Sequence, residues 1–94
     1  MEVVSTPSFE RRFRDIGDRV ARSKIGLAIR RMRLGNLGDS KSVGAGILEA
    51  RIHHGPGYRI YYAQRGTVLI ILLAGGNKST QKQDIRKAIS GDPL

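Results

Sequence analysis

Residues 72–81 read LLAGGNKSTQ, and whether they form a nucleotide phosphate loop decides between two fold classes. An apolar strand end, two glycines, Lys78, two hydroxyls and a polar helical start are the parts of a phosphate cradle. A Walker loop, however, places one glycine directly before the lysine and another five residues earlier. Asn77 holds the first of those positions and Leu72 the second. No acidic strand end suited to magnesium follows, and the helical first half offers no parallel βαβ sheet. The stretch is therefore expected to be a glycine turn from strand to helix. Lys78 would stand at the helix start, where lysine and helix N-terminus both favour an anion. The plainer alternative leaves Lys78 in solvent.

Upstream, Val68 to Ala74 is apolar on both faces, which predicts a central strand covered twice. Arg65-Gly66 and Gly55-Pro56-Gly57 are turn signals, so the run between them, Tyr58 to Gln64, returns antiparallel on both sides. Its alternation sets Tyr58, Ile60 and Tyr62 against Arg59 and Tyr61. Ile47 to His53 alternates too, with Ile47, Glu49, Arg51 and His53 on one side and Leu48, Ala50 and Ile52 on the other.

The first third is helical. Thr6-Pro7 offers a hydroxyl N-cap and a proline at the first helical position, and Phe9, Phe13 and Ile16 share one face. Gly17-Asp18 ends that helix and caps the next, whose apolar stripe is Ala21, Ile25, Ala28 and Met32. Gly35 closes it. Glu2 to Ser5 is a candidate short strand, and Ser79 to Ile89 a last short helix.

These elements predict a single α+β domain over 1–94. An N-terminal helical hairpin packs on the Leu48/Ala50/Ile52 face of a small antiparallel-rich sheet of three or four strands, followed by a short C-terminal helix. The opposite face is expected to be open and basic, presenting Arg51, His53 and Arg59, with Lys78 nearby. Arg59 and Lys78 are expected to converge on one phosphate. Arg51 has an alternative as a partner of Glu49, and His53 as an exposed histidine without a role.

Composition narrows the partners. Seventeen Lys and Arg against eight Asp and Glu give a net charge of +9, which favours a polyanion and nucleic acid first. Cysteine is absent, which excludes disulfides and thiolate metal sites. The longest apolar run is far short of the ~20 residues of a membrane span. No signal-peptide pattern opens the chain, so a cytoplasmic protein without membrane association is expected.

The strand pair LEARIHHGPGYRIYY, followed by LLAGGNKSTQKQDI, resembles the RelE/ParE superfamily of bacterial toxins, and within it the HigB-like addiction-module killer subgroup. The resemblance runs from Phe9 to Ala88 and includes RMRLGNLGD after the second helix. It implies a toxin of a type II toxin–antitoxin system: a metal- and cofactor-free endoribonuclease that cuts mRNA on the ribosome. The implied partners are mRNA, the ribosome and a cognate antitoxin, expected as a helix-turn-helix protein of the same operon.

Carried over residue by residue, Arg59 matches the family's phosphate-binding arginine and Lys78 its second basic residue. Arg51 and His53 lie on the strand that supplies further basic groups. These four form the implied catalytic set, and Arg51, Arg59, Lys78, Gln81 and Lys82 the implied RNA-binding set. The sequence departs from RelE proper in carrying Asp84 where a tyrosine is expected in the last helix. Two alternatives stand beside the nuclease: a ParE-like toxin that binds DNA gyrase without cleaving anything, and an inactive nucleic-acid-binding relative.

Overall fold

The computed structural model describes residues 1–66 and 69–90 and has the expected α+β class. In chain order it runs β1 (Glu2–Ser5), α1 (Pro7–Arg14), α2 (Arg19–Arg33), β2 (Ser40–Gly44), β3 (Ile47–Ile52), β4 (Tyr58–Arg65), β5 (Leu69–Asn77), a 3-10 turn (Lys78–Thr80) and α3 (Gln81–Ser90). Val68, read as the start of the central strand, lies outside the described residues, as do residues 91–94.

The helix starts follow their caps. The Thr6 hydroxyl accepts from Phe9 N–H at 3.3 Å, and Asp18 Oδ1 accepts from Val20 and Ala21 N–H at 2.9 and 3.2 Å. At the end of α2, Gly35 takes φ +88°. Gly35 and Asn36 N–H donate to the carbonyls of Met32 and Arg31, the paired bonds of a Schellman stop.

The sheet has five strands in the order β1-β5-β4-β3-β2. Strands β2 to β5 pair antiparallel, and β1 pairs parallel to β5. The additional edge strand is β2, whose segment SKSVG has little apolar alternation and reads as a connector. It joins β3 through a two-residue turn with Ala45 at φ 54° and Gly46 at φ 75°, the left-handed pair that matches strand twist in tight hairpins.

Both sheet faces are covered. On one, Phe9 of α1 and Ile25 and Met32 of α2 pack on Ala50, Ile52, Ile60, Tyr62 and Leu72. On the other, Ala88 and Ile85 of α3 pack on Ile47, Tyr61, Ala63 and Val43. The face expected to be open is thus partly roofed by the last helix. Among the described residues, no helix is long and apolar enough to cross a membrane.

The two glycines of LLAGGNKSTQ are strand residues, which corrects the glycine turn expected there. Gly75 pairs with Ile60 and Gly76 with Arg59 inside the ladder. Their role is clearance. A Cβ on Gly75 would meet Phe9 and Arg12 of α1 at an ordinary 3.8 Å, whereas one on Gly76 would stand 1.8 Å from Asp84 Oδ2. The chain turns only afterwards, at Asn77. Its side chain accepts from Ser79 and Thr80 N–H, while its own N–H donates to Thr80 Oγ1. This reciprocal capping box starts the last helical segment.

Candidate functional site

Glu49 occupies the centre of the α3 face. Its side chain is 0% exposed, and strand register places it opposite Tyr61, with Arg51 opposite Arg59 on the same face. Two like charges directly across a ladder repel. Glu49 relieves this by accepting from both at Oε1, Arg51 Nε at 3.2 Å and Arg59 Nη1 at 2.9 Å. Its Oε2 accepts from the Tyr61 hydroxyl at 3.1 Å and from Gln81 Nε2 of α3 at 3.0 Å. Four donors on two oxygens fully satisfy the buried carboxylate.

Burial works to raise the Glu49 carboxyl, but hydrogen bonds from Arg51, Gln81 and Tyr61 and the charge of Arg59 outweigh it. The group is held below the usual glutamate range. The Tyr61 phenol is pushed well up, first by burial and then by the neighbouring Glu49 charge, so it stays a donor.

The cluster sorts the expected residues. Arg51, Arg59 and Gln81 come together through Glu49. Arg59 does not project freely toward a phosphate: its side chain is 10% exposed, and its Nε is buried without a hydrogen-bond partner among the described residues. Arg51, at 34% exposed, keeps an outward side. Lys78 and Lys82 are exposed. Lys78 stands beside the β3–β4 turn, its Cβ 3.7 Å from where a Cβ on Gly57 would lie.

His53 does not join them. It follows the end of β3, is exposed, and its Nε2 lies 2.6 Å from Asp39 Oδ2 at the entrance to β2. The strand ends one residue too early for alternation to hold at 53. His54 instead ties the turn to the α2 N-cap, with Nε2 2.9 Å from Asp18 Oδ2. The Asp18 carboxyl is lowered, chiefly by this bond and then by Ala21 N–H.

Asp84, expected where RelE proper carries a tyrosine, is buried and accepts from the Thr80 hydroxyl at 2.5 Å. It is a packing group of the β5–α3 junction. The hub, Glu49, was missed as a functional position. Its signal was a lone acid on the same strand face as Arg51 and Arg59, with a glutamine opening the last helix.

The arrangement can hold phosphate oxygens between the outward side of Arg51 and the exposed Lys78, which follows the Gly76 paired with Arg59. The buried carboxylate fixes the direction of the two arginines beneath.

Residues 14–90 match the family model described as phage-derived protein Gp49-like (DUF891). A protein of Haemophilus influenzae described as uncharacterised is 43% identical over 88 residues, covering 94% of this chain and 89% of the relative.

Proposed function

The chain belongs to the phage-derived Gp49-like family, which is associated with the toxins of toxin–antitoxin systems and so with an antitoxin partner; from that premise we infer that it is a HigB-like toxin of the RelE/ParE superfamily that cleaves mRNA on the ribosome. The observation that carries this reading is the pairing of Arg51 with Arg59 across β3 and β4 on Glu49, with the exposed Lys78 following Gly76, the partner of Arg59.

In the proposed reaction a ribose 2′-oxygen attacks the adjacent phosphorus, and the bond to the 5′-oxygen breaks. The 2′ proton is taken up and a proton is delivered to the leaving oxygen. Negative charge builds on the non-bridging oxygens, where guanidinium and ammonium groups stabilise it. Glu49 contributes by orienting Arg51 and Arg59 before RNA arrives, so that little reorganisation is left for the reaction itself. Lys78 and Lys82 grip the strand through its phosphates.

His53, a member of the implied catalytic set, stands at the Asp39 edge instead. Its ring is held by Asp39, whose carbonyl also accepts from Arg51 N–H, so among the described residues neither histidine is hydrogen-bonded to a site arginine's side chain. In this reading the arginines and lysines supply charge and binding, and the ribosomal site and its water supply in-line order and proton transfer.

One observation favours the second reading, a toxin that binds DNA gyrase and cleaves nothing: the enclosure of Arg59 against Glu49. A reconstituted translation reaction separates the two. The nuclease reading expects new mRNA 5′ ends within the reading frame that depend on ribosomes. Intact mRNA together with inhibited gyrase supercoiling would overturn it.

A further inference from the structure

The outer face of α2 is charged and apolar, and none of its residues belongs to the proposed RNA interface. Its fifteen residues include six cations, Arg19, Arg22, Lys24, Arg30, Arg31 and Arg33, and no acid. Pairs three apart, such as Arg19 with Arg22 and Arg30 with Arg33, repel along the helix. Between them runs an apolar line. Val20, Leu27 and the capping Leu34 are between 43% and 83% exposed and recur every seven residues.

Positions seven apart lie on one stripe of an α-helix, the spacing by which a second helix is met. With this stripe as the seam, the flanking positions hold Arg19, Lys24, Arg31 and Arg33. Flanking charges of this kind select the partner helix in coiled-coil packing. The surface beside the stripe is shallow. A depression of about 280 Å³ over Val20 and Leu27 adjoins, at Lys24 and Leu27, a groove of about 330 Å³ that reaches Leu37, Ile52 and, at its far edge, Arg51 of the proposed RNA site.

We propose that this α2 stripe is the docking site for an acidic amphipathic helix of the antitoxin, seated on Val20, Leu27 and Leu34 and flanked by Arg19, Lys24 and Arg31. The assignment rests on the toxin–antitoxin reading above and identifies the surface the partner would cover. Heptad-spaced apolar residues call for a helix rather than an extended strand, and the uncompensated cations call for acid beside its apolar seam. The span from Val20 to Leu34 is about 21 Å at 1.5 Å per residue, room for roughly four turns.

The test uses the full chain and the product of the adjacent reading frame, co-expressed and then measured by titration calorimetry. Leu27→Glu should weaken the complex about 30-fold or more, the effect of losing a central anchor, with an unchanged thermal midpoint. Leu27→Gln, uncharged and of similar size, is the second variant should the first fail to fold. Lys24→Glu with Arg31→Glu should slow association and reduce its salt dependence, and acid-to-lysine changes on the partner helix should restore binding.

A partner that binds the Leu27 variants as it binds the original chain would overturn this proposal alone. Absence of any complex with the original chain would overturn the toxin–antitoxin reading and the proposal with it. If Leu27→Glu instead dissolves a self-association, or the charge reversals weaken only RNA binding, the stripe belongs to a second copy or to nucleic acid, and the proposal fails.

Discussion

Replacing Glu49 by glutamine probes the hub around which the site is arranged. The amide would keep one acceptor oxygen but lose the charge, leaving Arg51 and Arg59 opposite one another without a counter-ion. Its new N–H groups would also face the donors of Tyr61 and Gln81. Removing one partner of a buried ion pair costs about 3–5 kcal/mol. Arg51 is a third exposed and so recovers part of its loss from water, which points to the lower end, about 3 kcal/mol. For a domain near 100 residues, each kcal/mol lowers the midpoint by roughly 4–8 °C, so a drop of about 15 °C is expected in a calorimetric or circular dichroism melt. The double change Glu49→Met with Arg59→Met should recover much of the loss, because it removes both buried charges together. A Glu49→Gln protein within about 0.5 kcal/mol of the original, the range of ordinary surface changes, would refute the argument that this carboxylate organises the site.

Three further outcomes follow from the same geometry. The Glu49 carboxyl is held in the fold below its ordinary 4.5, so its contribution is complete above pH 4.5 and lost as pH falls through the lowered value. Denaturant titrations across that window should show steeper acid destabilisation for the original chain than for Glu49→Gln; equal slopes would contradict it. Gly76→Ala should cost about 1–3 kcal/mol by driving Asp84 from its bond with Thr80, whereas Gly75→Ala, in ordinary contact, should cost far less; equal melts for the two would refute the clearance argument. Arg59→Ala should lower the melting midpoint as well as any activity, because it strips a buried carboxylate of a partner. Lys78→Ala should leave stability unchanged, and a stable Arg59→Ala protein would overturn the ion-pair account.

The sequence carried the fold where periodicity and caps were strong. Thr6-Pro7, Asp18, the Ala21-to-Met32 stripe and the alternation of Ile47–Ile52 and Tyr58–Gln64 each mark an element found in the structure. Strand β2 was illegible because SKSVG has too little apolar content to show a period. Its pairing is imposed by the Ala45-Gly46 hairpin and the exposed edge of β3. Gly75-Gly76 read as a turn because paired glycines usually mark one. That they serve clearance depends on Asp84 approaching from a helix that begins several residues later. Alternation correctly put Arg51 and Arg59 on one face. It could not show that α3 would bring Gln81 onto that face, nor that Glu49 would draw both guanidiniums inward. His53 failed for a local reason: the strand ends at Ile52, and Asp39 captures the ring beyond it.

The central claim, that the Arg51–Lys78 end of the sheet meets mRNA phosphates during cleavage, is tested most directly by single-turnover cutting of a radiolabelled mRNA on programmed ribosomes. The original chain is compared with Arg51→Ala and Lys78→Ala, each assayed at a temperature well below its own melting midpoint. The account predicts cleavage by the original chain and a chemical step slowed by about 10²–10³ for loss of a charge-stabilising group. Cleavage by both variants at the original rate, or none by any of the three, would contradict it.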